Sequence, residues 1–169
     1  MRFKSRINFN DYLKLNYTLT YKNRWVIYIS IIGLLMLVVT VLYYSGLMPE
    51  IFAKENPPYF QLFFGLFTLV GIPSSIYFTA KKNFKTSERL QEDIEYEFTN
   101  DKFKLTGTSF SSEMTWDKTY KVQELKNWFL IYQNGKVANP ISKRNLSLDQ
   151  IEYLRNLFKN FKNVKLKLK

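Results

Sequence analysis

Trp25–Tyr44 reads WVIYISIIGLLMLVVTVLYY, and no charged residue occurs between Arg24 and Glu50. A second apolar run, Tyr59–Ala80, is also free of charge. A helix rises about 1.5 Å per residue, so about 20 residues cross a ~30 Å hydrocarbon layer. Two helices that are apolar on every side are too wide for the core of a small soluble domain. Residues 25–80 are therefore predicted to form a two-helix transmembrane hairpin with a short connecting loop.

The distribution of lysine and arginine predicts the orientation of this hairpin. Residues 1–24 carry six of these residues, the loop carries only Lys54, and four more lie in residues 81–89. Excess positive charge marks the cytoplasmic side of a span. The first apolar run is too long and begins too late for a cleaved signal peptide. Abundant Lys, Asn, Ile, Phe and Tyr are typical of an AT-rich bacterial genome. We expect a bacterial cell membrane protein with two spans and both termini in the cytoplasm.

Composition excludes several kinds of chemistry. The 169-residue chain has no cysteine and no histidine, which removes thiolate sites and the commonest general base and metal ligand. No P-loop, G-x-S-x-G, G-x-G-x-x-G or H-E-x-x-H motif is present. We therefore predict that the protein is not an enzyme, with no catalytic residue, cofactor or metal site. The net charge of +11 points to the anionic cytoplasmic leaflet of a bilayer, and nucleic acid is not an expected partner.

Residues 1–24 form a basic N-terminal segment ahead of the first span. Asn10 or Asp11 can cap a short amphipathic helix that lies at the membrane surface. An irregular basic arm is the alternative. Within the second span, Pro73 predicts a kink, with Ser74 and Ser75 placed to satisfy carbonyls that the proline frees. Such a kink can serve as a hinge or a docking notch, but proline is also an ordinary residue of membrane helices.

Residues 81–92 are charged and are predicted to continue the second helix as a connecting helix. From residue 93 the apolar period changes to two, which predicts a series of short strands. Asn134-Gly135 predicts a tight hairpin turn. Ser147-Leu-Asp-Gln150 is a capping box that opens a final amphipathic helix. Its predicted apolar face comprises Leu148, Ile151, Leu154, Phe158 and Phe161.

These patterns define the fold class as a membrane α-helical hairpin plus an α+β cytoplasmic domain. Residues 93–169 form the domain, an antiparallel sheet that one C-terminal helix covers. Val164–Lys169 alternates strictly between apolar residues and lysine. This end is either an edge strand that lysines protect from pairing or a tail drawn to lipid headgroups.

Lysines near the predicted membrane surface are candidate contacts for anionic lipid. They are Lys81, Lys82, Lys159, Lys162, Lys165, Lys167 and Lys169. Each such residue contributes about 1 kcal/mol of attraction close to an anionic leaflet. Lys143 and Arg144, which stand just before the capped helix, are a candidate anion contact, with an ordinary solvated loop as the alternative.

Several short motifs of residues 93–169 resemble the YcxB-like family of small bacterial membrane proteins. They are Phe103-Lys-Leu, Glu113-Met-Thr-Trp116, Tyr120-Lys-Val122, Trp128-Phe-Leu-Ile-Tyr132, and Ile141-Ser-Lys-Arg144 followed by Leu146-Ser147. The family usually has proline directly before the Lys-Arg pair, whereas this chain has Ser142 there. The resemblance implies a pleckstrin-homology-like (PH-like) cytoplasmic domain and no catalytic residues.

Two functions follow as hypotheses. The first is a non-enzymatic, membrane-anchored interaction module whose cytoplasmic domain binds a partner protein or anionic lipid. The alternative is an immunity protein that protects the producing cell against a bacteriocin or secreted toxin, with a small cationic peptide as its partner. The lipid bilayer is a partner in both hypotheses, and a second copy of the chain is a further candidate.

Overall fold

The computed structural model describes residues 1–47, 57–135, 137–161 and 164–168. The chain divides into a sheet unit, made of Met1–Asn8 with Ser87–Lys169, and a helical unit, Phe9–Thr86. This division differs from the predicted boundaries, because the basic segment 1–24 contributes to both units. Most of the predicted external loop lies outside the described residues.

The helical unit contains the two apolar runs. Its elements are α1 (Phe9–Thr20), α2 (Arg24–Tyr44), α3 (Tyr59–Leu66), a π-helical turn (Phe67–Gly71) and α4 (Ile72–Thr86). Residues Arg24–Tyr44 and Tyr59–Thr86 are each long and apolar enough to cross a membrane by length and composition. The amphipathic helix predicted in the basic segment is present as α1.

Glycine lets α2 approach the second apolar helix closely. A Cβ atom on Gly33 would lie 1.8 Å from Thr68 Oγ1, and one on Gly65 would lie 2.4 Å from Leu37 Cγ. Thr68 is fully buried at this crossing, where its hydroxyl donates to the Gly65 carbonyl at 3.0 Å. Small residues at helix crossings allow backbones to pack closely, which is a common means of helix association in membranes.

The disturbance predicted at Pro73 takes the form of the π-helical turn. The turn ends at Gly71, two residues before the proline, whose missing N–H and bulky ring interrupt the regular ladder. Ser75 Oγ donates to the Ile72 carbonyl at 2.8 Å, so one of the two predicted serines has a backbone acceptor. Tyr17 of α1 donates from its hydroxyl to the Pro73 carbonyl at 2.9 Å.

The sheet unit is an α+β arrangement. Its elements are β1 (Arg2–Arg6), α5 (Glu88–Gln91), β2 (Asp93–Phe98), β3 (Lys102–Thr106), β4 (Ser111–Thr115), β5 (Lys121–Glu124), β6 (Trp128–Tyr132), β7 (Ala138–Ser142), α6 (Leu148–Lys159) and β8 (Lys165–Lys167). The strands form two sheets, in the orders β1-β2-β3-β4 and β7-β6-β5-β8. Strands β5 and β8 pair in parallel, and the other neighbours are antiparallel. Lys165 and Lys167 are therefore part of an edge strand.

The connecting helix predicted over residues 81–92 is interrupted. Helix α4 ends at Thr86, and Ser87 has extended dihedral angles before the four residues of α5. Ser and Thr side chains compete with the helix for backbone hydrogen bonds, and the Thr86 hydroxyl donates to the Lys82 carbonyl at 3.0 Å. The helix predicted over residues 81–92 is therefore divided into α4 and α5.

Strand β1 is held on β2 by opposite charges. Their antiparallel register places Arg2 opposite Glu97, Lys4 opposite Glu95 and Arg6 opposite Asp93. Arg2 Nη2 and Glu97 Oε1 are 2.7 Å apart, and this hydrogen bond holds the pKa of the Glu97 carboxyl below its usual value. A one-residue slip would place these charges and the intervening buried residues on the wrong faces, so the pattern fixes the register.

An aromatic core fills the inside of the sheet unit. The Phe3 ring stacks on Tyr96 with centroids 5.1 Å apart, and the Phe103 and Trp116 centroids are 4.9 Å apart. Helix α6 covers this core with Leu154 and with other buried residues of the same face, namely Leu157 and Phe158. The predicted capping box is present, with Ser147 and Gln150 bonded reciprocally. Leu148 does not belong to the buried face: it is 83% exposed at the first turn.

Candidate functional site: an amphiphilic cavity in the sheet unit

A cavity of about 250 Å³ opens between β2, β3, β7 and α5. Its apolar wall consists of Ile7, Leu90, Ile94 and Leu105. Three of these side chains are buried, and Leu90 is half-buried. Alternation along β2 and β3 turns Ile94 and Leu105 to the buried side, and Leu90 of α5 is a further part of the wall. The cavity therefore has an interior suited to hydrocarbon.

One buried polar group in the wall, the side-chain N–H₂ of Asn139, has no hydrogen-bond partner in the part of the chain that the structure describes. Arg89 Nη2 donates to Asn139 Oδ1 at 2.6 Å, and Asn139 is only 5% exposed. Because a guanidinium carries only donors, this contact fixes which way the amide is turned. Among the described residues, Asn139 Nδ2 has no acceptor. Buried donors are nearly always paired in folded proteins, so this N–H marks a place where an acceptor oxygen is expected.

Tyr96 adds a second polar group whose proton is tightly held. Its hydroxyl donates to the Pro140 carbonyl at 3.3 Å. Burial raises the pKa of Tyr96 well above the ordinary value, so the phenol is neutral at physiological pH. Such a group can orient a ligand but is a poor general base.

The cation at the rim is held in place by its neighbours. Arg89 Cζ lies 4.5 Å from the Phe110 ring centroid, in addition to its bond to Asn139. Glu92 Oε2 accepts from Thr108 N at 2.7 Å and from Ser109 N at 3.1 Å, which ties the end of α5 to the β3–β4 loop. Hydrogen bonds from Ser109 and Thr108 lower the pKa of Glu92. The contacts of Arg89 with Asn139 and Phe110 restrict the orientation of its guanidinium.

The predicted anion contact at Lys143 has a different role. Its ammonium group pairs with the fully buried Glu124 carboxylate, donates to the Leu125 carbonyl at 3.0 Å and lies 4.5 Å from the Phe129 ring centroid. Arg155 Nη2 contacts the same carboxylate at 2.6 Å. Lys143 is thus engaged inside the sheet unit, and its position does not suit an external anion. Arg144 is exposed in the 3-10 turn Lys143–Asn145, and its contact with an anion stays a prediction.

The predicted lipid contacts fall in both units. Lys81 and Lys82 are exposed on α4, and Lys159 is exposed at the end of α6. Lys165 and Lys167 occupy the outward face of β8. Lys162 and Lys169 lie outside the described residues. Contact of these lysines with lipid stays a prediction.

The cavity itself was not predicted from the sequence. Its lining comes from three parts of the chain, residues 7, 87–105 and 133–140, which the fold brings together. The only sequence signal was Arg89 itself, which was counted among the positive charges that follow the second apolar run. No pattern within a single segment identified Asn139, whose Nδ2 has no acceptor among the described residues.

Comparison with known proteins covers part of the sheet unit. One family model, described as YcxB-like protein, matches residues 98–158. No curated protein and no solved structure matches the chain. The matched span contains every motif on which the resemblance was based, whereas β1 and α5 lie outside it. The match over residues 98–158 agrees with the YcxB-like resemblance that the sequence indicated.

Proposed function

We propose that this chain is a non-enzymatic, membrane-anchored interaction module of a bacterial cell membrane. The observation that carries the proposal is the pairing of β1 with β2, two strands that the helical unit separates in the sequence. Arg6 lies opposite Asp93, so both ends of the helical insertion lie on the same side of any membrane it crosses. The number of crossings must then be even, and the two candidate spans satisfy that requirement.

The charge distribution favours a cytoplasmic location for the sheet unit. Lysine and arginine within about 15–20 residues of the spans set the orientation. Arg24 begins the first candidate span, and Lys81 and Lys82 lie in the last turns of the second. A reporter fused after Lys169 should be active only in the cytoplasm, and one inserted beside Lys54 only outside. The opposite pattern of activity would overturn the proposed orientation.

The arrangement of the sheet unit supports the PH-like domain that the family resemblance implies. Four antiparallel strands precede a second sheet of three antiparallel strands, and an amphipathic helix then covers the core between them. Domains of this kind present binding surfaces and carry no catalytic centre of their own. We therefore assign the sheet unit to recognition.

The outward face of the second sheet suits anionic headgroups. Lys165 lies opposite Lys121 in the parallel pairing, and Lys167 follows two residues later on the same side. Their ammonium groups lie near aromatic rings: Lys121 Nζ is 3.9 Å from the Tyr132 centroid, and Lys165 Nζ is 5.4 Å from that of Tyr120. Lysine and tyrosine together are typical of surfaces that meet the headgroup layer.

Amine labelling of the full chain in nanodiscs tests this assignment. A water-soluble reagent should modify Lys165 and Lys167 less in anionic nanodiscs than in neutral ones, and added salt should abolish the difference. Lys126, which is exposed in the β5–β6 turn, is the internal control with unchanged reactivity. Equal labelling of Lys165 and Lys167 in both lipids, at low salt, would show that this face does not meet the membrane.

A further inference from the structure

We propose that the cavity beside Arg89 binds one single-chain amphiphile, an apolar chain that ends in an oxyanion such as the carboxylate of a free fatty acid. The inference names a ligand for the proposed membrane-anchored module and rests on that function, because the membrane is the source of the ligand. It concerns the interior of the sheet unit and does not involve the lysine face of β8.

The wall selects for an apolar chain. Ile7, Ile94 and Leu105 enclose the interior, and Leu90 closes one side. Each methylene moved from water into such surroundings tightens binding about fourfold. A volume of about 250 Å³ holds about eight groups of the size of a water molecule or methylene. A chain of eight to ten carbons therefore fills the cavity with its polar end at the rim.

The polar groups select for an acceptor with negative charge. Asn139 Nδ2 is a buried donor with no partner in the described ranges, and the Arg89 guanidinium stands beside it with only donors. An alcohol or amide headgroup would satisfy the amide but leave the cation without a counter-charge. A carboxylate oxygen satisfies both, and charge-assisted hydrogen bonds are the stronger kind.

The position of the cavity along the chain suits a ligand that comes from the bilayer. Two lining residues, Ile7 and Ser87, lie within two residues of the ends of the helical unit, which begins at Phe9 and ends at Thr86. Under the proposed function both connections emerge from the membrane. Residues of the cavity wall are thus joined, within two residues along the chain, to both ends of the proposed membrane insertion.

Photo-crosslinking in neutral nanodiscs tests the proposal with the full chain. The probe is a decanoic acid that carries a diazirine near its methyl end, and mass spectrometry locates the modified peptides. We expect labelling of residues 90–105 and 137–140 in addition to the spans. The matching decanol probe should label these peptides about tenfold less, since it lacks the charge-assisted bonds. Excess unlabelled decanoate should compete, whereas acetate and inorganic phosphate, which lack the chain, should not.

Two variants separate the polar contribution from folding. Asn139→Asp keeps an oxygen for Arg89 but replaces the orphan donor with a second acceptor that repels a carboxylate, so cavity labelling should fall at least tenfold. Arg89→Gln should lower it as well. Lys126→Gln, an exposed cation that does not line the cavity, is the matched control and should leave labelling unchanged.

Some outcomes would overturn the proposal. These are labelling confined to the spans, equal labelling by the acid and the alcohol, competition by acetate or phosphate, or unchanged labelling in Asn139→Asp. The first of these would indicate that water alone fills the cavity. Failure of the membrane topology is detected separately by the reporter fusions, so the two results cannot be confused.

Discussion

The carboxylate of Glu124 should be the most sensitive single group for the stability of the sheet unit. Its side chain is fully buried at the end of β5 and pairs with Lys143 and with Arg155. Changing Glu124 to Gln keeps the size of the side chain but leaves two cations without their counter-charge. The Lys143 side chain is itself only 9% exposed, so it cannot recover its hydration without moving.

The size of the effect follows from the surroundings of the two cations. Removing one partner of a buried ion pair costs about 3–5 kcal/mol. The lower end applies here, because Lys143 retains the Leu125 carbonyl and the Phe129 ring, and Arg155, with 36% of its side chain exposed, can turn to solvent. A loss of about 3 kcal/mol lowers the Tm of a domain of 60–100 residues by about 12–24 °C.

Tryptophan fluorescence measures this loss in the sheet unit alone. Trp116 and Trp128 are buried there, and a Trp25→Phe background removes the signal of the helical unit. Thermal scans then compare Glu124→Gln with Glu113→Gln. Glu113 pairs with Lys102 at 2.9 Å, but both side chains are 47% exposed, so its loss should matter far less. Equal Tm values for the two variants would refute the reasoning.

Three further perturbations test other parts of the fold. Gly33→Ala places a Cβ 1.8 Å from Thr68 Oγ1 and should lower the free energy of unfolding in detergent by about 1–3 kcal/mol. The double variant Gly33→Ala/Thr68→Gly should recover this stability, and Gly135→Ala, where space is open, should have no effect. A double variant without recovery would mean that this crossing does not hold the helices. Arg2→Glu should lower the Tm of the sheet unit, and Arg2→Glu/Glu97→Arg should restore most of it; a double variant no better than the single one would contradict the charge register. Hydrogen bonds lower the pKa of Glu92 from 4.5, so the ionised carboxylate stabilises the sheet unit above about pH 4.5, and this contribution is lost below it. The Tm difference between wild type and Glu92→Gln should therefore shrink as the pH falls through that range. A constant difference would exclude this dependence on the ionisation of Glu92.

Local patterns were sufficient for much of the fold. The two charge-free runs predicted the helices, and the change of period after residue 92 predicted the strands. Asn134-Gly135 predicted the connection between β6 and β7, where Val137 N donates to Asn134 Oδ1 at 2.9 Å. The capping box predicted where α6 begins. In each case the residues that decide the structure are neighbours in the sequence.

Other features depend on residues far apart in the chain. Strand β1 does alternate, with Phe3 and Ser5 buried between charged residues, but its partner β2 begins about 90 residues later. The sequence alone does not reveal that Lys143 and Arg155 both pair with Glu124, because the three residues belong to different elements. The face of α6 was predicted from spacing alone, and only the folded structure shows that Leu157 is buried while Leu148 is exposed.

The pairing of β1 with β2 also sets an order of events during synthesis. At about 5–20 residues per second, β2 leaves the ribosome roughly 5–20 s after β1. Through that interval β1 has no strand to pair with, and its charged residues protect it from wrong partners. The first sheet is therefore completed only after both apolar helices have been synthesised. A soluble version of the domain must carry residues 1–8 joined ahead of residue 87, since a fragment that begins at residue 87 would lack the strand that covers Tyr96 and Phe98.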